Sequence, residues 1–133
     1  MDADEHKSDE YLKDETYKII GLAINILNKV GHGFQEKICE NALVVGFHKS
    51  YISYNQQASY PIEYEGVEIG KFIPDLIAFG KLIVDTKTID RITDRERGQM
   101  LNYLKVTGLR LGLLHNFKHP KLEFERIIHN PSE

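Results

Sequence analysis

The chain has 133 residues, 41% hydrophobic and 28% charged, the composition of one soluble globular domain built on a single core. A lone cysteine, Cys39, excludes an internal disulfide and a cysteine zinc cluster, and no apolar run approaches the roughly 20 residues of a membrane span. The net charge of −3 argues against a strongly basic nucleic-acid binder, yet the acids are unevenly placed: residues 1–15 hold seven acids and two bases, residues 16–133 thirteen acids and fifteen bases. The larger part is thus mildly basic, which permits phosphate contact without demanding it. The opening segment, MDADEHKSDE, lacks the basic and apolar regions of a secretory signal, so a cytoplasmic protein is expected. An acidic flexible tail is expected over 1–11, one domain over 12–129 and a short tail over 130–133.

In chain order, the spacing of Leu12, Ile19, Ile20, Ala23, Ile26, Leu27 and Val30 predicts a first helix, ended by Gly31 and Gly33. A second helix is predicted from Phe34 to about Lys49. Strand signals follow at 58–64, 67–79 and 82–89, with a hairpin turn at Glu65-Gly66 between the first two. Thr93-Asp94-Arg95-Glu96 is a capping box that opens a third helix, and Gly108 closes it. Two further strands are predicted at 110–117 and 121–128. The order ααβββαββ predicts an α+β fold, a mixed central sheet flanked by helices.

The chemistry concentrates in residues 72–87, FIPDLIAFGKLIVDTK. Asp75, Asp85 and Lys87 sit where core strands ordinarily carry no charge, and an unpaired buried charge is costly. Residues two apart in a strand share a face, so Asp85 and Lys87 point the same way. Two carboxylates and a lysine on one patch would seat a divalent metal and the water it activates. That requires Asp75 on the same face as Asp85. A two-residue turn at Gly80-Lys81 would put them on opposite faces; a three-residue loop, Phe79-Gly80-Lys81, or a bulge near Pro74 would bring them together. Glu36 and Glu40, four apart on the second helix, share a stripe with Leu43 and Phe47 and could add a carboxylate. Read alone, Glu36 matches the helix dipole and Glu40 is a solvated charge. His115 and His119 fall in a strand and a turn beside Pro120, which argues against a helical zinc pair.

The spacing of Pro74-Asp75 and Asp85-Thr86-Lys87 resembles the PD-(D/E)xK motif of restriction-endonuclease-like nucleases. GHGFQEKICENAL, Pro61-Ile62 with Tyr64 and Gly66, the Gln99–Lys105 helix, Gly108 and LGLLHNF together resemble the GxxExxY family within that superfamily, over roughly residues 12–129. Gly33 and Glu36 match the glycine and glutamate of its name, while Cys39 stands where the tyrosine would be. The resemblance implies a restriction-endonuclease-like core and Mg²⁺-dependent hydrolysis of nucleic acid, more of DNA than of RNA, with Mn²⁺ as a possible substitute. Asp75, Asp85 and the Thr86 carbonyl would hold the ion, Glu36 or Glu40 would add a ligand or a water contact, and Lys87 would orient the attacking water. Asp85 stands where relatives more often carry glutamate. Gln99 and Tyr103 match a QxxxY element that positions DNA in some exonuclease branches. Arg91, Arg95 and Arg97 form a solvated face bordering the site, from which Arg95 could touch phosphates. A two-fold homodimer is expected, and no membrane partner. The competing reading is a nuclease-fold module that has lost turnover and only binds nucleic acid or protein.

Overall fold

The computed structural model describes residues 11–130. The tails expected over 1–11 and 130–133 fall, but for Tyr11 and Asn130, outside the described residues. Helix α1 covers Lys13–Lys29 and α2 covers Glu36–Lys49. Strands β1 (Tyr54–Gln56), β2 (Tyr60–Tyr64), β3 (Val67–Phe72), β4 (Leu76–Ala78) and β5 (Leu82–Lys87) follow. Helix α3 (Asp94–Thr107), β6 (Leu111–Asn116) and β7 (Glu123–Ile128) complete the order. One sheet runs β1-β4-β5-β6-β7, and β2 and β3 form a hairpin of their own. Within the large sheet only β5 and β6 are parallel, because α3 carries the chain back across the sheet between them. This is the expected α+β class with a mixed sheet flanked by helices.

Strand alternation sorts the side chains to two sides. Leu82, Val84, Leu111, Leu113 and Phe117 join Ile19, Ala23, Leu27, Leu43 and Phe47 in the larger core, under α1 and α2. Ile83 and Leu114 turn the other way and join Phe72, Met100 and Leu104 in a smaller core under α3 and the hairpin. Burying each such side chain stabilises the fold by about 1.5–3 kcal/mol. Gly112 lets α3 lie close: a Cβ there would meet the Met100 sulfur at 2.3 Å. Cys39 is buried in the larger core as a small apolar residue, and burial pushes its thiol up.

The capping box is present: the Thr93 amide donates to Glu96 Oε1 at 2.7 Å, and Gly108 ends α3 in the left-handed region at φ 77°. Glu65-Gly66 is the two-residue hairpin turn, both residues at positive φ. Two expectations need correction. The run 67–79 is two strands in two different sheets, because Ile73-Pro74-Asp75 leaves the ladder and Pro74 has no amide to donate. And β1 is a strand the sequence pattern did not announce. Tyr-Asn-Gln has neither alternation nor apolar weight, and its strand form comes from pairing with β4, Tyr54 opposite Ala78.

Candidate active site

The β4–β5 connection decides what the two aspartates can do together. Ala78 pairs with Leu82, Ile77 with Ile83 and Leu76 with Val84. The loop is therefore the three-residue Phe79-Gly80-Lys81, with Phe79 and Gly80 both at positive φ and the Lys81 amide bonded to the Ala78 carbonyl at 3.0 Å. That odd count puts Asp75, one residue before β4, across from Asp85, one residue beyond the paired Val84. Their carboxyls lie within hydrogen-bond reach of each other. Asp75 is fixed from behind: its Oδ2 accepts from the Thr86 amide at 2.9 Å and the Thr86 hydroxyl at 3.1 Å. Lys87 Nζ stands 3.2 Å from Asp85 Oδ2, both side chains largely covered.

The electrostatics follow from that crowding. Burial pushes the Asp85 carboxyl up, Asp75 pushes further, and Lys87 only partly offsets them, so Asp85 titrates at about 7. Burial works against the Lys87 charge, but Asp85 and then Glu36 favour it, and the net effect is upward. A recess of about 380 Å³ opens over this group, with Glu36, Phe72, Ile73 and Tyr103 among its walls. Tyr103 stacks on Phe72 with ring centroids 3.8 Å apart and planes 10° from parallel, so one wall is aromatic and rigid. A larger hollow near Tyr51 and Tyr54 carries no such charged group facing a carboxylate pair.

Glu36 comes into the recess from the first turn of α2, where its Oε1 also accepts from the Thr88 amide at 3.4 Å. Glu40 does not. Its side chain is buried rather than solvated, and its Oε2 accepts from Gln56 Nε2 at 2.6 Å, Gln57 Nε2 at 2.9 Å and Lys37 Nζ at 3.1 Å. The expectation that Glu40 joins a shared ion is corrected: Gln56, at the end of the unforeseen β1, and Gln57 just after it supply the amides that claim its carboxylate. Gln99, half-buried, and Arg95, exposed, both on α3, are not among the recess walls; only the Tyr103 turn of that helix reaches them. Arg97 is tied to Glu125 and Asp94 instead of standing free. His115 is buried in β6 and His119 lies in the following turn, its Nε2 2.8 Å from the Asp90 carbonyl.

An oxygen-only donor set fits a hard divalent cation. Two adjacent carboxylates, with one of them forced upward in pKa, carry more negative charge than Lys87 offsets, and an ion would supply the difference. Among the described residues no three His, Cys, Asp or Glu side chains gather into a metal cluster.

A family model described as the PD-(D/E)XK nuclease superfamily matches residues 13–127. In fold, the chain is similar to the crystal structure of SSO0001, with a TM-score of 0.58 at 14% identity, over 92% of this chain and 61% of that one. This chain thus spans about three-fifths of that longer protein. No curated protein matches the sequence. Among the described residues, no helix is long and apolar enough to cross a membrane.

Proposed function

The chain belongs to the PD-(D/E)XK nuclease superfamily, whose members generally use divalent metal ions on nucleic acid, and we propose that it hydrolyses phosphodiester bonds with Mg²⁺, in DNA before RNA. The observation that carries this is the register of the β4–β5 hairpin, which sets Asp75 against Asp85 with Lys87 on the same face. Asp75, Asp85 and the Thr86 carbonyl would hold the ion, with Glu36 contributing from the opposite wall. When bound, the ion lowers the pKa of a coordinated water and draws charge from the phosphate oxygens.

The chain's own groups do the rest. Thr86 binds one Asp75 oxygen twice, which keeps that carboxylate from swinging away when Asp85 loses its proton. Lys87 stays charged beside Asp85 and is the group that can orient a water and stabilise the charge developing on phosphorus oxygens. The stacked Phe72–Tyr103 pair bounds the recess and excludes bulk water from one side. We further expect a cytosolic protein that works as a two-fold dimer. Cleavage assays with Mg²⁺ and Mn²⁺ on single- and double-stranded DNA and RNA test the reading. Metal-dependent cutting that disappears in Asp75→Ala supports it; metal binding without cutting would favour the module that has lost turnover, for which the short Asp85 and the missing tyrosine at Cys39 speak.

A further inference from the structure

Glu40 is a buried carboxylate that the proposed chemistry does not use, and the segment it grips leads straight to Asp75. Three donors converge on one of its oxygens, Oε2, from Lys37, Gln56 and Gln57. Gln57 is the unusual partner. It sits at φ 60°, in the left-handed region that a side chain other than glycine or asparagine enters at a cost of about 1 kcal/mol or more. Such a conformation persists only where the surroundings enforce it. In that conformation the Gln57 amide donates to the Asp75 carbonyl at 3.2 Å. This bond lies just beyond the β1–β4 ladder, whose last pair is Gln56 with Leu76. Asp75 itself is outside any strand. Its backbone is therefore held by Gln57 from the β1 side, and its carboxylate by Thr86 from the β5 side.

We propose that Glu40 is a positioning residue for the metal site: by clamping Gln56 and Gln57 it enforces the left-handed turn whose amide fixes the Asp75 backbone. Glu40 takes no part as a ligand. The chain of contacts runs from the Glu40 carboxylate through the Gln57 side chain to its amide and on to the Asp75 carbonyl. Lys37 and the two amides balance the buried charge. Partners of this outer kind typically change metal affinity 10- to 100-fold when removed.

The inference rests on Asp75 being a metal ligand, so the test separates the two. Mn²⁺ affinity is measured by calorimetry on the full chain, well below each variant's melting temperature. Asp75→Ala should abolish binding, Glu40→Ala should weaken it about tenfold or more, and Gln57→Ala should weaken it comparably. Glu40→Gln keeps an acceptor oxygen and should stay within about threefold of the parent, also in kcat. A lower melting temperature in Glu40→Ala with unchanged Mn²⁺ affinity would make the residue merely structural and overturn the inference. Equal losses in Glu40→Gln and Glu40→Ala with none in Gln57→Ala would make Glu40 a ligand and overturn it too. If Glu40→Ala does not fold, Glu40→Gln and Gln57→Ala still decide. A parent chain that binds no Mn²⁺ removes the metal site itself, and the positioning role with it.

Discussion

Strand β5 faces two environments, one residue at a time. Leu82 and Val84 enter the core under α1 and α2, and Thr86, next in that row, is also buried. Ile83, Asp85 and Lys87 face α3 and the hairpin, where only the first finds an apolar neighbourhood and the other two border the recess. The same six residues thus carry stability on one side and unstable charge on the other. The contrast teaches that the site's cost is offset locally: the buried row behind it, ending in the Thr86 hydroxyl bound to Asp75, holds the charged row in place.

The sharpest way to break this contrast is to strike the charged row alone. Asp75→Ala or Lys87→Ala should lower cleavage about 10²–10³-fold or more while leaving circular dichroism and melting temperature near the parent's. Cutting at the parent rate by Asp75→Ala would show that the chemistry sits elsewhere.

Striking the core that the buried row joins should do the converse. Leu113, fully buried beside Val84 across the parallel pair, should cost about 2–5 kcal/mol of stability as Leu113→Ala in urea titrations. The fraction still folded should keep its rate. A loss of rate per folded molecule would mean that the two rows are not separable.

A subtler test uses pH. The Asp85 carboxyl rises from an ordinary 3.8 to about 7 in the fold, so the folded state holds this proton more tightly than the unfolded state. Its favourable contribution is complete below about pH 4 and is lost as pH rises through 7. Asp85→Asn should therefore abolish cleavage yet gain about 1 kcal/mol or more over the parent at pH 8, with little gain at pH 4. A variant less stable than the parent at pH 8 would contradict the assigned burial of charge.

The smallest effect is expected at His115, on the core side. Among the described residues neither ring nitrogen has a partner, and burial lowers its pKa to about 4. His115→Leu should stabilise by about 1 kcal/mol at neutral pH. The gain should widen as pH falls from 6.5 toward 4, where the parent loses stability because its unfolded state takes up the proton first. Guanidinium titrations at pH 7 and pH 5 measure both.

How much of this was legible depended on whether the cause was local. The capping box at Thr93, the Glu65-Gly66 turn and the helix-ending Gly108 are written in neighbouring residues, and each forms where the sequence put it. The three-residue loop at Phe79-Gly80-Lys81 was reachable too, by asking which loop length would put two aspartates on one face. What the sequence hid was made by distant partners. Tyr54–Gln56 becomes a strand only against Leu76–Ala78, and Glu40 is turned inward only because that strand brings Gln56 and Gln57 to it. A glutamate four residues after Glu36 looks solvated until its partners are known. The paired glutamines at 56 and 57, polar residues just ahead of a strand signal, were the one available hint.

The β4–β5 loop has a consequence for the order in which the molecule assembles. Asp75 and Asp85 are ten positions apart in the chain and meet through a hairpin closed by three residues, an event of microseconds. The parallel pairing of Leu82 with Leu111 must wait for the whole α3 crossover and carries the larger loop-closure entropy. The two acids are therefore expected to meet before the sheet that buries them is complete. Substitutions in the Phe79–Lys81 loop should act mainly on the folding rate, and those at the β5–β6 seam mainly on the unfolding rate.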